Sequence, residues 1–541
     1  MGLLIMRVLF VSNDIGLGGA SVSLWEMLRE IRHKIEARVV LPGEGRLYET
    51  LVKEGIICYI IPFERDFVER FDGSRRKDQI ILSEYRAAKQ IASIIRNESI
   101  QLVHTNSSVG NAGCIGAIMA GVPHVWHIRE LLKEHFDADY YDSYFKRDLF
   151  GYSHLISVSK CVRDVINKRY QVASDFVYNG VNTDIYSMTC DNSTRNEFLI
   201  AGDISEGKGQ WDAVRAIEIL KKRGKSIHLV IIGTGTERAK WEIRKYVRIH
   251  QLERNIDVRD FTSDLNVLRK KSGCILVTSK MEALGRVTIE SMLAMQFVIG
   301  ADSGGTVEII GENGKRGLLY EQGNPNSLAN AIDRYLYMSE VEVDEIKARA
   351  YSFAFSVFNV RKYAEKIKGI YQSVLEDYHF DNNMILKGRI TEQFETVRAS
   401  YDANDGVEDT SFSSSAEMIE RKWLRLENSE RTLSGYLNSL GYNKIGLYGM
   451  GHFGIRLFDE LDGTSVEIGF VIDRIVGHLD EVCEVRTIDD ISGVDAIIVT
   501  VSSNEDSIAR MLKEYTDIRI LKLTDLLNAA SCDCTNKRDY A

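Results

Sequence analysis

CILVTSKMEALGRVTIESMLAMQFVIGA, residues 274–301, decides the fold. It opens with a β-branched, apolar run, CILVTS (274–279), and crosses a turn containing Gly285. It then enters Arg286–Met295, where Ile289, Met292 and Leu293 recur at helical spacing. A second apolar run, FVIGA (297–301), follows at once. Buried strand, turn, helix and buried strand in so short a span predict a parallel βαβ unit. The same rhythm extends outward through FLIAG (198–202), HLVIIG (228–233), IDVRDF (256–261) and GLLY (317–320). An earlier series comprises RVLFV (7–11), ARVVL (37–41), ICYII (57–61), QLVHT (101–105), HVWHI (124–128) and LISVS (155–159). Stretches such as Ser21–Ile31, Arg86–Ile95 and Trp211–Lys222 read as the intervening helices. Residues 1 to about 375 are therefore expected to form two doubly wound, Rossmann-like α/β halves, joined near NGVNTDIY (179–186).

Composition narrows the function classes. The chain has 541 residues, 44% hydrophobic and 27% charged, which suits several packed cores and excludes a disulfide scaffold, a fibre or a wholly disordered chain. A net charge of -10 supplies no strong basic field, so no nucleic-acid partner is expected. Four prolines against 42 glycines fit tight strand-to-helix turns. The eight cysteines are thinly spread, as in a reducing compartment. The one close pair, Cys532 and Cys534, lacks the second pair or the histidine that a zinc site needs. MGLLIMRVLFVSND reads as a first strand rather than a signal peptide, and no run of ~18 apolar residues occurs. The expected location is the cytoplasm.

The chemistry concentrates in the opening stretch. The turn Leu284–Gly285–Arg286 should present unpaired helix N-terminal amides, a natural seat for phosphate. Glu290, inside the helix, could direct a carboxylate at vicinal hydroxyls, as acidic residues do at ribose. Glu282, before the turn, would face the hydroxyls of a transferred sugar. A solvated helix face also explains many such glutamate pairs. Asp137 and Asp139, in DAD, follow no clear strand, and no metal site is expected.

Glu282 and Glu290 resemble the Glu-x7-Glu motif of retaining glycosyltransferases with the two-Rossmann GT-B fold, specifically glycosyltransferase family 4 (group 1). IGLGGAS (15–21), GVPHVWHIRE (121–130), NGVNTDIY (179–186), AGDISEGKGQWDAVRAI (201–217), GTG (233–235) and DSGGTVEII (302–310) resemble its other landmarks in the expected order. The resemblance covers roughly residues 5–375. It implies an acceptor-binding half at 1–185, with a helix at 360–376 packing back on it, and a donor-binding half at 186–359. Lys208 would bind the diphosphate of a nucleotide-diphosphate sugar, and the amides of Gly18 and Gly19 would approach it. Glu290 would hold the nucleotide ribose, and Glu282 the donor sugar. His127 matches the active-site histidine, its alternative being a satisfied core histidine. Arg129 and Glu130 would be acceptor contacts or an ion pair. Where many members carry a phosphate-binding arginine, this chain has Asp203, so Arg286 is expected to substitute. Transfer would proceed with retention and without a metal or other required cofactor.

Beyond these halves, DANDGVEDTSFSSSAE (402–417) is acidic and Ser-rich, and 377–440 reads as a linker whose one helical stretch begins at Ala416. A third Rossmann-like unit is expected at 441–541. There KIGLYGMGHFG (444–454) carries Gly449, Gly451 and Gly454 in G-x-G-x-x-G spacing, and Asp473 ends the next strand, VEIGFVID (466–473). These four residues form a candidate second nucleotide or dinucleotide site, the alternative being glycines that merely allow close packing.

The leading expectation is a glycosyltransferase in polysaccharide or glycoconjugate assembly, acting on a glycan or lipid-linked acceptor. A lipid-linked acceptor would bring it to the inner face of the membrane, which the basic run Lys160–Arg169 permits, although a solvated helix face also accounts for that run. Two other classes remain open: a non-catalytic sugar-nucleotide scaffold, motivated by Asp203, and an NAD(P)-dependent oxidoreductase or epimerase centred on the C-terminal glycines.

Overall fold

The computed structural model describes residues 5–68, 74–136, 138–186, 195–262, 265–378, 384–404, 412–428, 431–502 and 504–531. Asp137, Cys532 and Cys534 lie outside them.

Three parallel sheets carry the fold. The first runs, in spatial order, Ile57–Ile60, Ile35–Leu41, Met6–Val11, Leu102–Thr105, His124–Ile128, His154–Ser157 and Asp175–Phe176. The second runs Ile256–Asp260, His228–Gly233, Glu197–Ala201, Cys274–Val277, Phe297–Ala301 and Leu318–Tyr320. The third has Glu467–Ile472, Lys444–Tyr448, Ala496–Val499 and Arg519–Lys522. Central strands such as Leu102–Thr105, His124–Ile128 and Cys274–Val277 are buried along their whole length, which explains their continuous apolar sequence. In each sheet the strand order reverses beside the first strand, opening a crevice at the carboxyl ends. In the second sheet that point lies between Glu197–Ala201 and Cys274–Val277, so the segments after these two strands become neighbours.

The helix Val360–Asp377 closes the first core rather than the second. Asn359 caps it by accepting from the amides of Arg361 and Lys362. Val360, Tyr363, Ala364, Ile367 and Tyr371, at helical spacing, pack with Phe10, Leu24 and Met27. Tyr371 is fully buried, and its hydroxyl meets His104 Nδ1 at 2.8 Å. Burying a side chain of that size contributes about 1.5–3 kcal/mol.

The region read as a linker is largely helical. Met384–Asn404 forms a helix whose Ile390 and Phe394 are buried, with Phe394 stacked on Tyr85 at 3.6 Å between ring centroids. The stretch expected to be one helix from Ala416 is two, Phe412–Asn428 and Leu433–Ser439, the second capped by Thr432. Trp423 is fully buried with Ile419, Leu433 and Leu437, and its indole N–H donates to Glu460 at 3.1 Å.

Two compact units result. One comprises Met1–Asp203, Gly207–Gly233 and Arg259–Asp405. The other comprises Ile204–Glu206, Thr234–Val258 and Gly406–Ala541, and so includes the helix Glu237–Ile249. Among the described residues, no helix is long and apolar enough to cross a membrane.

Candidate active site

The site is assembled at the crevice of the second sheet. After Glu197–Ala201 the chain forms a one-turn helix, Glu206–Lys208, and Gly209 then starts Gln210–Lys222. Gly209 has φ +63°, and a Cβ there would lie 2.2 Å from the Thr278 carbonyl. The two post-strand segments therefore touch backbone to backbone, and Thr278 Oγ1 donates to the Lys208 carbonyl at 2.8 Å. This contact sets Lys208 beside Glu282: its ammonium donates to Glu282 Oε1 at 2.7 Å, and Ser279 Oγ donates to the same oxygen at 2.6 Å.

Leu284 is buried, and Gly285 precedes the helix Arg286–Leu293 with no side chain capping its N-terminus. Glu290 accepts from Arg286 Nε at 2.7 Å through one oxygen and from Arg269 through the other. Burial would raise its carboxyl, but the guanidiniums of Arg286 and Arg269 hold it below the ordinary glutamate range.

Across the crevice, Gly18 and Gly19 open the helix Gly19–Ile31 and are exposed. Among the described residues, their amides donate to no protein acceptor. Asp14 folds into the same turn and accepts from the Gly16 amide at 3.0 Å and Ser21 Oγ at 2.7 Å.

His127 is wholly buried near the end of its strand. Its Nδ1 lies 3.3 Å from an Arg129 nitrogen, while its Nε2 has no partner among the described residues. Burial first, then the neighbouring charges of Arg129 and His104, hold the ring well below the ordinary histidine pKa, so it is neutral. Arg129 and Glu130 have separate partners. Arg129 is buried and donates to Asn106 at 2.9 Å, Asn179 at 2.5 Å and Tyr363 at 3.0 Å. Glu130 accepts from the hydroxyls of Ser107 and Ser108 and from the Ser108 amide. Of the two alternatives, acceptor contacts or an ion pair, these bonds show no pairing between Arg129 and Glu130, and Arg129 acts as a buried strut. Among the described residues, no group of three or more His, Cys, Asp or Glu could hold a metal.

Two family descriptions match the halves that build this crevice: "Glycosyltransferase Family 4" over residues 17–185 and "Glycosyl transferases group 1" over 190–352. The chain belongs to the group 1 glycosyltransferases. An uncharacterized glycosyltransferase of Methanocaldococcus jannaschii is 24% identical over 389 residues, covering 68% of this chain and 99% of the relative. Among solved structures, HepE of Anabaena with UDP and glucose is similar at TM-score 0.56 and 21% identity, covering 68% of this chain and all of that one. A Rickettsia africae glycosyltransferase is similar at TM-score 0.56 and 19% identity, covering 69% of this chain and 100% of its own. These likenesses show the GT-B fold.

In this glycosyltransferase Arg286 is engaged by two protein carboxylates. Its guanidinium is divided between Glu290 and Glu26, whose Oε2 lies 2.8 Å away, so two carboxylates balance its charge. These pairs make it a brace of Glu290, and Asp203, at the position where an arginine is usual, is exposed. Sequence reasoning missed Glu26, Arg269 and Asp14. Glu26 left one signal, a carboxylate among Leu24, Met27 and Leu28 on the apolar side of its helix. Arg269 left none, because a contact 21 residues away has no period.

In the third sheet, Gly449, Gly451 and Gly454 follow the strand Lys444–Tyr448, and a Cβ on Gly454 would lie 2.0 Å from the Gly449 carbonyl. Close helix–strand packing therefore accounts for Gly454. Asp473 is engaged by protein: one oxygen accepts from the Met450 amide at 2.5 Å, the other from Arg238 at 2.9 Å and the Ile475 amide at 2.8 Å.

Proposed function

We propose that this glycosyltransferase moves a sugar from a nucleotide-diphosphate sugar, with retention of anomeric configuration, to a glycan or lipid-linked acceptor in polysaccharide or glycoconjugate assembly. The observation that carries this reading is the Lys208–Glu282 pair beside the uncapped start of Arg286–Leu293. It brings a cation, an uncapped helix start and a carboxylate to one crevice. Lys208 and the helix-terminal amides stabilise the diphosphate as the anomeric C–O bond breaks and negative charge develops on the leaving group. Glu290, fixed by two arginines, accepts from the ribose hydroxyls. Glu282 holds the donor sugar, and the free Nε2 of neutral His127 is available to a hydroxyl of that sugar. The amides of Gly18 and Gly19 complete the phosphate seat from the acceptor half. No metal or cofactor is assigned a role, and a lipid-linked acceptor would place the reaction at the inner face of the membrane.

UDP sugars are the first donors to test, since HepE was solved with UDP-glucose. Incubation with a donor panel, read by release of nucleoside diphosphate, should identify a donor whose turnover is lost in Lys208→Ala and Glu282→Ala. Turnover unchanged in both variants would overturn the assignment.

A further inference from the structure

The G-x-G-x-x-G unit holds a helix where a ribose-binding acid would hold a nucleotide. Asp473, at the end of its second strand, grips Arg238 of the helix Glu237–Ile249. Arg238 also donates to Glu242 at 2.9 Å and to the carbonyls of Ile475 and Val476. Two turns of that helix are fastened further along. The Trp241 indole donates to Asp459 at 2.9 Å and its ring meets Phe458 edge-on at 5.2 Å, while Lys245 pairs with Asp462 at 2.6 Å. All these residues belong to one compact unit, together with Ile204–Glu206. That short segment is bound at both ends. The Ile204 amide donates to the Thr234 carbonyl at 2.7 Å, and Glu206 Oε2 lies 2.9 Å from Nε2 of His478, in the loop after Asp473. Glu206 is the first residue of the single turn Glu206–Lys208.

We propose that the C-terminal Rossmann-like module serves the glycosyltransferase as a clamp on its donor-phosphate segment, with His478 and Arg238 as positioning residues for the turn that carries Lys208. The inference rests on the reading that Lys208 binds the donor diphosphate. Arg238 keeps the 473–478 loop against the helix, which brings His478 to Glu206. Ile204 ties the other side of the same segment to the lead-in of that helix. The C-terminal side of this one-turn helix is fastened by Thr278, whose Oγ1 donates to the Lys208 carbonyl, and the Glu206–His478 contact fastens its N-terminal side. Holding the turn at Glu206 limits where the ammonium two residues later can go, so less order is lost when the diphosphate binds. The module would act on this donor site without touching substrate.

The test uses the full chain with two readouts: hydrogen exchange at amides 204–209 without ligand, and UDP affinity by calorimetry. His478→Ala should speed exchange there and weaken UDP by about fivefold, the upper range for a partly exposed pair. His478→Gln, which keeps a donor to Glu206, should restore both. Lys245→Met loosens the far end of the helix and should leave both near the parent values, separating the clamp from general destabilisation. Unchanged exchange in His478→Ala overturns the clamp. Unchanged UDP affinity in His478→Ala, with Lys208→Ala weakened, overturns the positioning role alone. Unchanged affinity in Lys208→Ala instead overturns the donor reading and the role of His478 with it, whatever exchange shows.

Discussion

Glu282→Gln should separate nucleotide binding from sugar transfer. The Lys208 ammonium rests 2.7 Å from Glu282, with the two side chains 28% and 15% exposed. A nucleoside diphosphate must share Lys208 with that carboxylate and lie near its negative charge. For a partly exposed pair the attraction is about 0.5–1 kcal/mol. Removing it frees Lys208, so UDP should bind Glu282→Gln about two- to fivefold more tightly than the parent. Lys208→Ala should act in the opposite sense. It loses a charge-assisted hydrogen bond of about 1.5–3 kcal/mol, offset by the pair already present in the free protein. The net of about 1–2 kcal/mol corresponds to roughly 5- to 30-fold weaker UDP. Calorimetry with UDP measures both, and nucleotide release from the intact donor should fall in both variants. If Glu282→Gln weakens UDP as much as Lys208→Ala does, the carboxylate belongs to the nucleotide seat and the reasoning fails.

Arg286→Met leaves Glu26 and Glu290 short of a buried counter-charge and should lower unfolding free energy by about 3–5 kcal/mol in denaturant titration; a loss below about 1 kcal/mol would refute the brace. Because the Glu290 carboxyl is held below its unfolded value of 4.5, its stabilisation is present above that pH and lost as pH falls, which acid titration of Tm in the parent and Arg269→Met should show as an earlier onset in the variant. Glu84 is the opposite case: burial, with the nearby Asp66 carboxylate adding, pushes it up to about 8, so its stabilisation is present below pH 4.5 and lost as pH rises toward 8. Tm of the parent should therefore decline across that window more steeply than Tm of Glu84→Gln. Gly209→Ala forces a Cβ against the Thr278 carbonyl at positive φ and should cost about 1–3 kcal/mol while weakening UDP; unchanged affinity would refute the role of that backbone contact.

Strand existence was legible because central parallel strands are buried on both faces and read as continuous apolar runs. HVWHI, HLVIIG and FVIGA match the strands His124–Ile128, His228–Gly233 and Phe297–Ala301 residue for residue. Edges were harder: Arg519–Lys522 has only two apolar residues, Ile520 and Leu521, between flanking charges, and it is only partly buried, so no strand signal stands out. Met384–Asn404 was passed over although Ile390, Phe394 and Val397 form a narrow stripe, because polar residues around it have the composition of a linker. At the candidate site, the turn and its flanking glutamates single out Glu282 and Glu290, and the family resemblance adds Lys208, but neither says who pairs with whom. Nothing near Arg286 in the sequence shows its pairing with Glu26, because that carboxylate lies 260 residues away. Asp473 shows the same limit: spacing placed it at a strand end but could not say that an arginine fills it.

The helix Val360–Asp377 also dictates when the first half can finish folding. Arg129 waits for Tyr363, 234 residues later, and His104 for Tyr371, 267 residues later. At a synthesis rate of roughly 5–20 residues per second, that delay is on the order of 10–50 s. Throughout it, the apolar side of Gly19–Ile31 lacks its final cover. The nascent chain must carry that exposed seam while an entire second sheet is made, so this enzyme should lean on holdase chaperones during synthesis more than the size of its first half suggests.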